Sequence, residues 1–316
     1  MNIVMLEPLG VPEELLRQKA APLERAGHTV TLCTEKLTEE EKLRRAAGAD
    51  VFIIANGKLT EKVIAAAPDL KMISVGFTGI DHVDLAACRA RGVRVCNAQG
   101  YATEATAELA LSLMLACLRH LVPYDAAVRH GGTAAGYANR TLRGKTVGIL
   151  GTGAIGKRVA ELARPFGCEL LGASRSVDPE AETLGIRYVP VEELFRESDI
   201  VSVHVPLNEW TRGMVSRERI DSMKKSAIFI NCARGGVVDR EALAEALNQG
   251  RIAAAGLDVF ESEPPIPADD PLLSAKNTVL TPHTGFFTEE AMAARLDIVF
   301  ENVTAWLAGA PVNVKL

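Results

Sequence analysis

Arg234, Glu263 and His283 lie in the segments NCARGGVVD, GLDVFESEP and LTPHTG, and each segment follows a short apolar run that reads as a β-strand. In open α/β sheets, groups just beyond the carboxyl ends of strands converge on one crevice. Singly these residues have bland readings: a surface arginine, a solvated glutamate, a histidine capping a strand. Together they offer a permanently charged fork for an anion, a ring that exchanges a proton near neutrality and a carboxylate able to orient that ring. Behind a dinucleotide-binding fold, those are the groups that carbonyl reduction requires.

Such a fold is signalled upstream. TVGILGTGAIGKRVAELARPFG carries Gly151, Gly153 and Gly156 in G-x-G-x-x-G spacing, between a strand pattern and a helix pattern. The first glycine permits a tight turn, the second lets backbone N–H groups approach a pyrophosphate, and the third lets helix and strand pack closely. The next strand ends in LLGASRSVD, with Ser174, Arg175 and Ser176 where an acidic residue would accept hydrogen bonds from the ribose 2′-OH of NAD. A carboxylate there repels a 2′-phosphate, whereas a guanidinium pairs with it and two hydroxyls add donors. The arginine therefore points to NADP, with NAD retained as the alternative.

Positioning these groups takes many elements, and the chain has the length for about two domains: 316 residues, 48% hydrophobic, with a formal net charge of −5. Short β-branched runs alternate with helical periods almost throughout, which argues for an α/β class with parallel sheets. Strands are expected at NIVMLE, TVTLC, VFIIAN, MISVG and VRVCN, then at TVGILG, LLGAS, IVSVHVP, AIFINCA, IAAAGLDVF and TVLTPH. TEATAELALSLMLACLRHL predicts one long buried helix, followed by an irregular arm from Pro123 to Lys145. The final helical pattern, EEAMAARLDIVFENVTAWLAG, has no sheet of its own and is expected to return to the N-terminal domain. This places a discontinuous domain at 1–98 plus 287–316 and a second at 99–286. The mixed, slightly acidic charge excludes a broad nucleic-acid footprint. Neither a signal peptide nor a membrane-length apolar run is visible, so a cytoplasmic location is expected. Six scattered cysteines and the remaining histidines show no metal-ligand spacing.

In order along nearly the whole chain, FTGIDHVDL, the Gly-rich fingerprint, VHVPLNEWT, NCARGGVVDREAL, AGLDVFESEP and TPHTG resemble the D-isomer-specific 2-hydroxyacid dehydrogenase family. The resemblance implies two doubly wound domains, a flavodoxin-like substrate domain and a Rossmann dinucleotide-binding domain. It implies that Arg234 holds the 2-oxo acid's carboxylate, that His283 exchanges a proton with the substrate oxygen, and that Glu263 fixes the imidazole. It implies cofactor contacts from Gly151, Gly153, Ala154, Ile155, Gly156, Ser174, Arg175, Ser176, Val205, Pro206, Thr211, Cys232, Ala233, Asp258 and Gly285. Substrate contacts fall on Phe77, Thr78, Gly79 and Tyr101, a packing role for Tyr101 being equally compatible. A homodimer through the cofactor domain is also implied.

Two departures matter. Phe77 stands where many members have a small residue, which narrows the pocket or makes it more apolar, and Ser174 and Arg175 replace the usual aspartate and its neighbour. The favoured activity is reduction of a small 2-oxo acid such as glyoxylate or hydroxypyruvate. The alternatives are a phosphoglycerate-, formate- or phosphite-type dehydrogenase, and a cofactor-sensing binding protein like the corepressors that share this fold.

Overall fold

The computed structural model describes residues 1–262 and 265–316. Cα proximity divides the chain into two compact units, Met1–Ala102 with Phe286–Leu316, and Thr103–Gly285. In the first unit, strands β1 (Asn2–Met5), β2 (Thr29–Thr31), β3 (Val51–Ile54), β4 (Met72–Val75) and β5 (Arg94–Asn97) alternate with helices α1 (Glu13–Arg25), α2 (Glu39–Ala46), α3 (Glu61–Ala65) and α4 (Leu85–Ala90). The sheet is parallel, in the order β2-β1-β3-β4-β5. VFII and MISV are buried along their whole length, as strands covered on both faces must be, whereas TVT at the edge is partly exposed. Helix α1 turns Leu16, Ala20 and Leu23 inward at helical spacing. A buried carboxylate joins the two strands at the reversal of strand order: Glu7 accepts from the N–H groups of Ala55 (2.8 Å) and Gly57 (3.0 Å) and pairs with Lys42.

The second unit opens with α5 (Thr103–Arg119) and α6 (Leu121–Arg129). It continues through β6 (Thr146–Leu150), α7 (Ala154–Ala163), β7 (Glu169–Ala173), α8 (Pro179–Thr183), β8 (Ile186–Tyr188), α9 (Val191–Glu197), β9 (Ile200–Val203), α10 (Arg217–Ser222), β10 (Ile228–Asn231), α11 (Arg240–Asn248), β11 (Ala254–Leu257) and β12 (Thr278–Leu280). All seven strands are parallel, in the order β12-β11-β10-β9-β6-β7-β8. The order reverses between β6 and β9, so a crevice opens beyond their carboxyl ends. Helix α5 packs on the sheet across Gly256 of β11, where an added Cβ would come within 2.8 Å of Leu113.

Two expectations are corrected. The long helix does not run on to residue 121: it breaks at His120, which takes a left-handed conformation (φ 50°), and the start of the expected irregular arm is helix α6. The arm's high content of Gly, Ala and charge concealed LVPYDAAVR, a nine-residue helix that buries none of its residues. Strand β8 was also unforeseen, because IRY is short and buries only Ile186.

The last helix, α12 (Glu289–Leu307), belongs to the first unit. Buried polar groups fix its register: the Ser74 hydroxyl donates to the Val299 carbonyl (2.9 Å), and Asn302 Nδ2 donates to the Asn97 carbonyl (3.0 Å). No single described helix is long and apolar enough to cross a bilayer.

Candidate active site

The Gly-rich turn follows β6 at the reversal of strand order, and close approach dictates its glycines. Gly151 has φ 97°, and a Cβ on it would come within 2.8 Å of the His204 carbonyl and of Val205. A Cβ on Gly156 would overlap the Gly151 carbonyl, so only glycine lets α7 start so near the strand. Gly153, by contrast, has open space within 4 Å and caps α7 with no side chain, leaving the first N–H groups of that helix, from Ala154 and Ile155 onward, unclaimed by a capping group. Thr152, invisible to motif reasoning, ties the turn to β8 through its hydroxyl and that of Tyr188 (2.7 Å). The β8 tyrosine was missed along with its strand.

Ser174, Arg175 and Ser176 follow β7 and are exposed. The next acid along the chain, Asp178, is committed to Lys157 (3.0 Å), whose hydrogen bond holds the Asp178 carboxyl below its ordinary range. Arg175 has neither a hydrogen bond nor an ion pair with any described residue.

Arg234 follows β10. Its backbone is set by Asn231, which accepts from Ala233 N (3.0 Å) and donates to the Arg234 carbonyl (3.0 Å), and its guanidinium donates to the Ala233 carbonyl (2.8 Å). Gly235 comes next, and a Cβ there would overlap the Phe260 carbonyl, so the arginine's loop lies directly on the segment that follows β11. Arg240 fastens that segment at two points, Glu261 (3.4 Å) and buried Asp270 (3.3 Å). Glu263 lies between them and falls outside the described residues.

His283 follows β12, with φ 57°, a conformation that a residue bearing a Cβ adopts only when its surroundings impose it. Asp258 imposes it. This fully buried carboxylate accepts from the Thr281 hydroxyl (2.6 Å) and from the N–H groups of Thr284 and Gly285 (2.8 Å each), while its carbonyl accepts from His283 N (2.7 Å). Asp258, expected as a cofactor contact, thus folds the histidine's turn. Beside it, burial and the Asp258 charge push the Cys232 thiol far up, so Cys232 is an inert part of the wall. Thr211, another expected contact, uses its hydroxyl within its own loop, donating to the Pro206 carbonyl (2.5 Å).

In the first unit, the Phe77–Thr78–Gly79 loop follows β4. Its carbonyls are pinned, Phe77 O by Ala98 N (3.1 Å) and Thr78 O by Asn97 Nδ2 (2.6 Å). Among the described residues, no group accepts from the N–H groups of Thr78 and Gly79. Tyr101 is buried against Phe77.

Residues 111–285 match the family model described as D-isomer specific 2-hydroxyacid dehydrogenase, NAD binding domain. The chain is 41% identical over 277 residues to a D-3-phosphoglycerate dehydrogenase of Methanocaldococcus jannaschii, covering 86% of this chain and 52% of that one. It is 40% identical over 275 residues to a glyoxylate reductase of Korarchaeum cryptofilum, covering 84% of this chain and 82% of the relative. The chain belongs to the D-isomer-specific 2-hydroxyacid dehydrogenase family. It spans about half the length of the phosphoglycerate dehydrogenase relative. Among solved structures it is similar to an acyclic imino acid reductase in complex with NADPH and D-Arg, at 29% identity with a TM-score of 0.89, each chain covered over 100% of its length. Membership implies a nicotinamide dinucleotide, and the second unit fits one: an uncapped helix start, an open glycine and a crevice at the strand-order reversal are what a pyrophosphate needs.

Under this turn, His204 donates its N–H to the Leu150 carbonyl (2.7 Å), and its ring shares a hydrogen bond with the Ser202 hydroxyl (2.8 Å). Its Nδ1 is sealed from solvent without a partner, and burial lowers the ring's pKa to about 4. The unfolded chain takes up this proton below a pH of about 6.5, whereas the folded chain resists it, so stability is lost as pH falls from about 6.5 towards 4. The loss approaches about 3 kcal/mol at the lower end. Urea unfolding of wild type and His204→Leu between pH 7.5 and 4 should show the wild-type curve falling more steeply; parallel curves would show that the ring does not titrate.

Proposed function

We propose that the protein uses NADPH to reduce a small 2-oxo acid to the D-2-hydroxy acid, with substrates of the glyoxylate and hydroxypyruvate type favoured. The single observation that carries this reading is the Asp258-centred turn, which holds His283 in a strained conformation beyond β12 while Gly235 seats the Arg234 loop against the segment leading from Asp258. The name of the glyoxylate reductase relative supports the substrate class.

In this proposal the cofactor, when bound, supplies a hydride to the substrate carbon. Arg234 binds the substrate carboxylate and draws electron density towards the carbonyl oxygen. His283 donates a proton to that oxygen and takes it back in the oxidative direction. Glu263 is assigned the second imidazole nitrogen, where a carboxylate favours the protonated ring. Residues 1–98 and 287–316 are assigned to substrate binding, with the Thr78 and Gly79 N–H groups as carboxylate donors, and residues 99–286 to the cofactor. Gly151 to Gly156 cradle the pyrophosphate, and Val205, Pro206, Thr211, Ala233 and Gly285 complete the cofactor's surroundings.

Replacing His283 or Arg234 by Ala should lower kcat/KM for 2-oxo acids by about a hundredfold or more. NADPH affinity, read by cofactor fluorescence, should change only a few fold. Near-normal turnover by either variant would remove the assignment.

The choice of NADPH rests on Arg175, an exposed guanidinium with no partner among the described residues, in a position where the usual acid is missing. The NADPH named in the imino acid reductase complex supports it. Arg175→Ala should raise the KM for NADPH by about tenfold to a hundredfold while leaving that for NADH nearly unchanged, because a charge-assisted hydrogen bond contributes roughly 1.5–3 kcal/mol. Ser174→Asp should go further towards NADH. A wild-type preference for NADH, or equal effects on both cofactors, would reduce Arg175 to a loop residue.

We also propose a homodimer formed through the second unit. Helix α6 buries none of its residues and leaves Leu121, Val122 and Val128 exposed, more apolar surface than a free helix ordinarily presents. Light scattering at micromolar concentration should give twice the chain mass; a monomer mass would overturn this.

A further inference from the structure

Arg295, on α12, is only 3% exposed, yet no described carboxylate pairs with it. Its guanidinium donates to the Leu9 carbonyl, and its Nε is buried without a partner. Three rings enclose it: the Cζ atom lies 5.2 Å from the centre of Phe77, 5.8 Å from Phe286 and 5.9 Å from Tyr101. The rings pack on one another edge to face, Phe77 at 4.7 Å from Phe286 and 6.0 Å from Tyr101.

A guanidinium does not shed its proton inside a protein, so burial leaves a permanent charge. Aromatic faces and the Leu9 carbonyl offset part of the desolvation, but among the described residues there is no ionic partner. An apolar side chain would fill the same face of α12 without that penalty. The caged charge abuts Phe77, the first residue of the loop whose Thr78 and Gly79 N–H groups have no acceptor among the described residues. Unpaired donors backed by a buried positive charge form a site for an anion, and the low polarity of the cage weakens the charge's screening.

We propose that Arg295 is a specificity-determining residue for substrate, a fixed charge behind the Phe77–Thr78–Gly79 loop that draws the substrate's carboxylate to it without touching it. This rests on the 2-oxo acid reading above. It further assigns Phe77 to the wall between charge and substrate, held in place by the guanidinium beneath it.

The test compares Arg295→Met and Arg295→Gln, which remove the charge, with Arg295→Lys, which keeps it. At saturating NADPH, both neutral variants should raise the KM for glyoxylate about tenfold or more with kcat within about twofold of wild type, and Lys should restore most of the affinity. The uncharged analogue glyoxylamide should show the same KM in all four proteins. An unchanged KM for glyoxylate in the neutral variants, or equal increases for acid and amide, would assign Arg295 to packing alone. Calorimetry with oxamate and with uncharged oxamide separates this inference from the activity it rests on. If wild type reduces no 2-oxo acid, tenfold weaker oxamate binding by the neutral variants still upholds the charged site, and equal oxamate binding removes it.

Discussion

The Asp258 carboxylate is the constraint on which the second unit's chemistry depends. A buried carboxylate must have donors, and this one draws them from a single short turn: the Thr281 hydroxyl and the N–H groups of Thr284 and Gly285. Meeting that requirement bends the chain so that His283 adopts a left-handed conformation. The strain at His283 and the satisfaction of Asp258 are one arrangement seen from two ends.

Close approach does for the neighbouring loops what hydrogen bonding does for this turn. Gly151, Gly156 and Gly235 are each pressed against backbone that a Cβ would strike, so the Gly-rich turn and the arginine loop sit nearer to adjacent segments than any other residue would allow. Parallel strand order supplies the rest: β6, β9, β10, β11 and β12 all run the same way, which gathers the ends of these loops on one side of the sheet. The glycines matter for what they keep out as much as for their own flexibility.

Among the described residues neither Arg175 nor Arg295 has an acidic partner, and their surroundings give the same group different work. Arg175 is exposed after β7, where solvent screens its charge. Arg295 is sealed among Phe77, Tyr101 and Phe286, where its field is weakly screened and its position is fixed. Reading charge by residue type alone would treat them as equivalent.

The sequence by itself determined the α/β class, the Gly-rich turn between β6 and α7 and the residue types fit for carbonyl reduction, because strand periodicity and glycine spacing are local properties carried by neighbouring residues. Strand β8 escaped notice because an edge strand of three residues leaves almost no periodic signal, and α6 because a helix with no buried face lacks the apolar stripe that marks one. The resemblance offered Asp258 only as a cofactor contact; its hold on the histidine's turn was not legible, since its donors lie 23 or more residues away along the chain. Arg295 carried no signal at all. Within EEAMAARLDIVF it reads as one more polar residue on a surface helix, and only tertiary packing, which brings residues 77, 101 and 286 around residue 295, turned it into a buried charge. Local sequence specifies what a residue can do chemically; solvent exposure and counter-charge, which decide whether it does so, arise only when distant segments fold together.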